Sequence, residues 1–202
     1  MSDQPDSRPI IELPAPRTSG SLSLEEVLAG RRSIRQFSPE SLTLAEISQL
    51  LWAAQGITES SGLRTAPSAG ALYPLELYVA TAEGLFHHEV TGHRLLKLSA
   101  DDLRPGITRV ALRQSAPAQA AATFVFTADY RRTEAKYSLE ESRHYVPLDA
   151  GHSAQNLLLQ AVVLDLGAVP LGAFYADKLQ KVLGLPAEHR PLYLVAVGRL
   201  PR

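Results

Sequence analysis

The sequence has no cysteine among its 202 residues. This excludes disulfides, thiolate nucleophiles, Cys-ligated zinc and iron–sulfur clusters, so any redox chemistry must be carried by a bound cofactor. No run of about 18 apolar residues occurs, and Met1-Ser2-Asp3-Gln4-Pro5-Asp6 has neither the basic start nor the apolar stretch of a signal peptide, so the expectation is a cytoplasmic protein with no membrane segment. Charge of one sign is lacking too: Lys+Arg 20 against Asp+Glu 21 gives −1, which removes any general pull toward nucleic acid or anionic lipid. No Gly-x-Gly-x-x-Gly follows a strand, no phosphate loop ends in Gly-Lys-Ser/Thr, and no His-Glu-x-x-His occurs. His87 and His88, adjacent in an expected strand, point to opposite faces and cannot share a metal; no metal site is expected. Ser68 follows Pro67 and sits in no nucleophile elbow, which argues against a serine hydrolase.

What is present is close to average globular composition, 45% hydrophobic and 20% charged, with length for one core. Residues 1–20, carrying Pro5, Pro9, Pro14 and Pro16 without periodicity, read as a flexible or surface-draped arm, and residues 21–202 as a single domain. Ser23-Leu24-Glu25-Glu26 and Thr43-Leu44-Ala45-Glu46 have capping-box form and open two helices, the second running through Ile47, Leu50, Leu51 and Ala54 to Gly56. Glu76–Ala82 reads as a strand, and Gly84–Val90 and His93–Leu98 as a hairpin about Thr91-Gly92. Residues 105–121 read as a helix with a loop near Pro117, and the apolar run Ala122–Ala128 as a strand buried on both faces. The spacing predicts the longest helix over Asp149–Leu166, apolar on nearly every side, with Asp149 as its cap and Gly167 as its stop. Asp177 is expected to cap a short helix ending at Gly184, and Pro191–Val197 to form a last central strand. Strands separated by helices give an α+β layer fold.

Three segments carry possible chemistry. Arg31-Arg32-Ser33-Ile34-Arg35 places three guanidiniums and a hydroxyl together, a pattern that grips a phosphomonoester or forms a solvated basic turn. Arg64 to Pro74 contains Pro67-Ser68-Ala69-Gly70-Ala71-Leu72-Tyr73-Pro74, whose small side chains let backbone approach a flat ligand, or which is simply a loop before a strand. Gly167-Ala168-Val169-Pro170-Leu171-Gly172-Ala173-Phe174 offers backbone amides again, or a plain helix-to-strand connection.

In this order and spacing the three segments resemble the nitroreductase family of FMN-dependent flavoproteins, over roughly residues 22–199. The loop, with Arg64 before it, looks most like the SagB-like dehydrogenase branch, which oxidises azolines to azoles in peptide maturation. The resemblance implies a mixed, mainly antiparallel sheet between helices and a homodimer with FMN sites at the subunit interface, the long helix lying at that interface. It implies that Arg31, Arg32, Ser33 and Arg35 bind the FMN phosphate and ribityl chain, with Arg199 completing the phosphate site. Pro67, Ser68, Ala69 and Gly70 would reach the flavin from the other subunit, and Leu171, Gly172 and Ala173 would lie near its reactive edge. Simple nitroreductases carry Asn at the position of Ala71 and Gln at that of Tyr73. The implied activity is hydride transfer through FMN between NAD(P)H or an organic substrate, small molecule or peptide, and a second acceptor. The alternatives are a SagB-like dehydrogenase that does not use NAD(P)H and a non-catalytic flavin- or peptide-binding module. No catalytic side chain is assigned; Lys136, Tyr137 and Tyr145 are polar candidates in a stretch placed to cover the pocket.

Overall fold

The computed structural model describes residues 9–201. Seven strands, β1 (Ile10–Glu12), β2 (Leu75–Thr81), β3 (Gly84–Glu89), β4 (Arg94–Ser99), β5 (Ala122–Ala128), β6 (Leu166–Leu171) and β7 (Arg190–Arg199), form one sheet in the order β1-β4-β3-β2-β5-β7-β6. Every ladder in it is antiparallel; the one parallel pairing is an isolated bridge between Ser33 and Ala168. The α+β layers expected from the sequence are therefore present.

Helices α1 (Leu24–Gly30), α2 (Leu44–Gln55), α3 (Arg104–Val110), α4 (Ala116–Gln119), α5 (Tyr130–Glu134), α6 (Leu139–Val163) and α7 (Ala176–Leu183), with a short 3-10 turn at Ala69–Ala71, account for the rest of the regular structure among the described residues. Strand alternation sorts the core into two halves. Leu75, Leu77 and Val79 of β2 join Leu50, Leu51, Phe124, Phe126 and Leu157 beneath α2 and α6. Tyr78 and Ala80 face the other way, toward Ile107 of α3 and Leu179 and Leu183 of α7. All seven residues of β5 are buried, as its unbroken apolar run requires.

Several expectations change, among them the loop expected near Pro117, which lies in the first turn of α4, the break between α3 and α4 falling at residues 111–115. Residues 9–20 do not hang loose: Ile10–Glu12 pair with Arg94–Leu96, Leu13 is buried, and the Ser48 hydroxyl donates to Pro14 O at 2.5 Å. The expected arm's first eight residues lie outside the described ones. The long helix begins at Leu139, ten residues before Asp149, because Ser138 and Glu141 form a capping box, and Asp149 is an interior residue, not a cap. Its outer side carries Gly151, His152 and Gln155, so it is apolar on one face only, with Leu148 left half exposed. Asp177 lies in the first turn of α7, whose N-cap is Tyr175; Gly184, in the left-handed region (φ 60°), ends that helix as expected. Finally, Leu166–Leu171 is not a connection but the edge strand β6, held by β7 from Leu166↔Arg199 to Leu171↔Leu194.

Candidate active site

The capping box of α1 starts a helix of only seven residues, and Arg31 ends it in extended backbone, so the arginine segment leaves α1 as a strand-like strip. The start of the strip lies along the open side of β6, where Ser33 bridges Ala168 and Ile34 N–H donates to Ala168 O at 2.9 Å; farther on, Ser38 N–H donates to Arg199 O at the end of β7 at 3.1 Å. Two glycines make room. A Cβ on Gly167 would stand 2.8 Å from Ile34 Cγ2, and one on Gly198 2.9 Å from Phe37, so neither position tolerates a side chain while residues 34–37 sit where they do. Among the described residues neither Arg31 nor Arg35 has a carboxylate within salt-bridge distance. Arg32 folds back instead, donating from Nη1 to Ala29 O (2.9 Å) and Arg31 O (2.8 Å) at the end of α1. Arg199 is drawn the other way, its fork closed on Glu46 at 2.6 and 2.9 Å. Burial raises the Glu46 carboxyl, but Arg199 and the Thr43 hydroxyl and N–H outweigh it and hold it below the usual range. Arg199 thus joins the strip by its backbone and commits its charge to α2.

Beyond Ala168, β6 ends at Leu171, and the exposed Gly172 and Ala173 follow directly after it. At about 3.3 Å per residue these lie roughly 15 Å from the Ser33 bridge on the same sheet edge. The first and third sequence segments are therefore two ends of one edge. Ala173 O is fixed by the Gln114 side chain at 2.9 Å.

The second segment is elsewhere. Pro67–Pro74 forms a tight turn in which Gly70 (φ 61°), Ala71 (φ 54°) and Tyr73 (φ 46°) all adopt left-handed backbone. For Ala71 and Tyr73 that conformation is strained, and it persists because many contacts fix it. Ser68 Oγ accepts from Tyr73 N–H at 2.8 Å, and Asp149 Oδ1 accepts from Ala69 N–H at 3.3 Å. Arg132 Nη1 donates to Tyr73 O at 3.1 Å, and the Arg64 guanidinium stands 4.6 Å over the Tyr73 ring. Asn156 donates to Thr65 O at 3.1 Å. Arg132 also binds Glu76, which accepts from His87 at 2.6 Å. Burial raises the Glu76 carboxyl, yet the His87 and Arg132 contacts prevail and bring it down to about 2.

Lys136 and Tyr137 cover Gly70: a Cβ there would meet Tyr137 Oη at 3.1 Å and Lys136 Nζ at 3.2 Å. Tyr145 packs edge-on against Tyr137 at 5.2 Å between centroids. The three polar candidates of the sequence are thus gathered at this loop. Arg132 and Asn156 were missed by sequence reasoning, and Asp149 was read there as a helix cap and not as a residue that holds the loop. The signal for Asp149 was the Ser138–Glu141 capping box, which puts an acid in the middle of a helix with no capping task.

The loop and the arginine strip do not meet within one chain. Asp149 holds the loop, whereas Gly30 lies against Val162, near the last turn of the same helix. Thirteen residues of helix separate these contacts, about 20 Å at 1.5 Å per residue.

The model of the nitroreductase family matches residues 28–199. The chain belongs to the nitroreductase family. It is an oxidoreductase enzyme on that ground. A protein named as a nitroreductase from Methanocaldococcus jannaschii is 37% identical over 184 residues, 88% of this chain and 91% of that protein. The crystal structure of a protein assigned as a nitroreductase from Ralstonia eutropha superposes with a TM-score of 0.85 at 30% identity, covering 96% of this chain and 90% of that one. The Escherichia coli microcin synthetase McbBCD complex, solved with truncated pro-MccB17 bound, shares the fold at 18% identity and a TM-score of 0.71, covering 91% and 76%. Among the described residues no helix is long and apolar enough to cross a membrane, and no group of three or more His, Asp or Glu is placed to hold a metal.

Proposed function

We propose that this nitroreductase-family chain is an FMN-dependent oxidoreductase acting as a homodimer, moving hydride between NAD(P)H or an organic substrate and a second acceptor. The observation that carries this reading is the laying of the Arg31–Arg35 strip along β6, whose far end presents Gly172 and Ala173. The donor set suits the cofactor: Arg31 and Arg35 have no carboxylate partner among the described residues, and a hydroxyl stands between them at Ser33, a set matched to a phosphomonoester. Small residues at Gly172 and Ala173 suit a flat ring approaching backbone.

Bound there, FMN would supply two-electron hydride transfer. The chain's residues bind and orient. Arg31, Ser33 and Arg35 would hold the phosphate and ribityl chain, joined by Arg32 on release from the Ala29 and Arg31 carbonyls; Leu171, Gly172 and Ala173 would line the edge of the ring with backbone. Pro67, Ser68, Ala69 and Gly70, some 20 Å off along α6, would serve the site of a second copy, where their rigid turn would help exclude water. Lys136, Tyr137 and Tyr145, grouped over that turn, are the side chains positioned to hold or move a proton beside a substrate.

The test is a visible spectrum of the purified protein with identification of the released cofactor, followed by anaerobic titration with NADH and NADPH. A yellow protein releasing FMN supports the reading; a colourless protein that takes up no added FMN overturns it. A second reading, dehydrogenation of a peptide azoline without NAD(P)H, is favoured by Ala71 and Tyr73 in the loop and by the fold shared with McbBCD. It predicts bound FMN that neither nicotinamide reduces.

A further inference from the structure

On the face of the sheet opposite α2 and α6 lies a cavity of about 600 Å³, walled by β2, β3, β4, the end of α7 and the loop at 184–189. A space of that size admits a small organic ligand. His87, on β3, stands four strands from β6, about 19 Å at roughly 4.8 Å per strand, so the cavity is separate from the arginine strip and the Gly172 end of β6. Leu85, Leu98 and Val182 give it apolar walls.

Two imidazoles line the cavity, each fixed through one nitrogen. His87 Nε2 lies 2.6 Å from Glu76 Oε2, and because Glu76 is brought down to about 2 it only accepts, so Nε2 carries the proton. Tyr78 stacks on the His87 ring at 4.7 Å, and its hydroxyl lies 2.5 Å from His189 Nδ1. Burial pulls His189 below its ordinary value, which leaves one ring proton. The phenol is the better acid and is assigned as donor to Nδ1, so His189 keeps an Nε2–H for the cavity. His87 Nδ1 and His189 Nε2 have no hydrogen bond among the described residues, and neither is closed off from the surface. The two rings stand 6.2 Å apart between centroids. Lys181, exposed in the last turn of α7, adds an ammonium with no ion pair among the described residues. The one carboxylate among the lining residues, Asp101, is exposed and takes the Ser99 hydroxyl at 3.3 Å. The fold uses the Tyr78–His189 bond to hold the loop before β7, but it gives no task to Lys181 or to the second nitrogen of either ring.

We propose that this cavity is a second ligand site, for a carboxylate carried on an apolar stem. The head accepts from His189 Nε2–H and from the Lys181 ammonium, and His87 Nδ1 donates too whenever that ring carries both protons. The stem lies on Leu85, Leu98 and Val182. A cation would meet Lys181 and two imidazoles with one exposed acid in return, and a neutral amide forgoes the charge-assisted bonds. The site goes beyond the oxidoreductase reading and does not depend on it, since none of its residues belongs to the arginine strip, the Pro67–Gly70 turn or the exposed leucines of α1 and α6.

The experiment is calorimetry at neutral pH with hexanoate, hexanamide and hexylamine, on the wild type, Lys181→Gln, His189→Gln and Arg35→Ala, with Tm and flavin content measured for each. Hexanoate is expected to bind the wild type about ten-fold or more tighter than either analogue. Lys181→Gln and His189→Gln should each weaken hexanoate by about five-fold or more and leave hexanamide unchanged, because only the charged head uses those groups. Arg35→Ala removes the other place where an anion could settle and should bind hexanoate as the wild type does. Lys181 is exposed, so its variant decides the matter should His189→Gln fail to fold. No binding of hexanoate, equal binding of hexanamide, wild-type affinity in Lys181→Gln, or loss of binding in Arg35→Ala would each overturn the proposal. A wild-type protein that holds no flavin sinks the oxidoreductase reading alone, and the hexanoate titrations still decide the carboxylate site.

Discussion

Arg31 and Arg35 stand beside the edge of β6 with no carboxylate to neutralise them among the described residues, while Arg32 and Arg199 are already engaged. The contribution of each arginine to phosphate binding should differ accordingly. Arg31→Ala and Arg35→Ala are each expected to weaken FMN binding by about 1.5–3 kcal/mol, roughly 10- to 150-fold, in a flavin-fluorescence titration. Arg199→Ala should instead cost stability, seen as a lower Tm, through the stranded Glu46 carboxylate. Gly167→Ala tests the strip from beneath: its Cβ would fall 2.8 Å from Ile34 Cγ2, so we expect about 1–3 kcal/mol of destabilisation and weaker FMN binding together. Glu76 supplies a pH signature. Its folded value, about 2, lies below the ordinary 4.5, so its stabilising contribution is complete above about 4.5 and disappears as pH falls toward 2. Acid-unfolding curves of Glu76→Gln should lack that slope; a slope identical to the wild type would refute the assignment.

At the scale of elements, α6 connects both halves of the chemistry: its middle holds the Pro67–Gly70 turn and its last turn backs the arginine strip. Its start depends on the Ser138–Glu141 capping box. Ser138→Ala is expected to cost about 1 kcal/mol and to raise hydrogen exchange over the first turn of α6 and over Lys136 and Tyr137 just before it, leaving the Leu157 region protected. The short capping boxes at Ser23 and Thr43 were legible because a cap is a local arrangement of four residues. The start of α6 was not, because Pro147 and the polar stretch before it break the apolar pattern, and only tertiary packing, with Val146 and Ala150 buried in the core on either side of Pro147, decides that helix continues through them. Likewise Leu166–Leu171 reads as a connection because Gly167 and Pro170 are poor strand formers; as an edge strand bonded on one side by β7, it accepts a proline.

At the scale of the whole molecule, the arginine strip and the Pro67–Gly70 turn lie too far apart to share one ligand in a single chain, about 20 Å along α6. Sedimentation should therefore find a species of twice 21.9 kDa. Leu24 and Leu28, exposed on one side of α1, and Leu148 on α6 are apolar surfaces that a second copy would cover. Leu28→Lys combined with Leu148→Lys is expected to shift the protein toward monomer and to lower FMN content with it; a monomer that keeps its full flavin would exclude a shared site. The sequence by itself determined the lack of thiol chemistry, the α+β layering, the caps at Ser23 and Thr43, the buried strand β5 and the three segments, because each depends on composition or on residues a few positions apart. Tertiary structure alone decided that two of those segments share one sheet edge, that Arg199 is spent on Glu46, and that Asp149 is an interior acid with an oxygen left over. These depend on strand pairing and helix packing between residues far apart in the chain, where burial and not local pattern fixes which polar groups find partners.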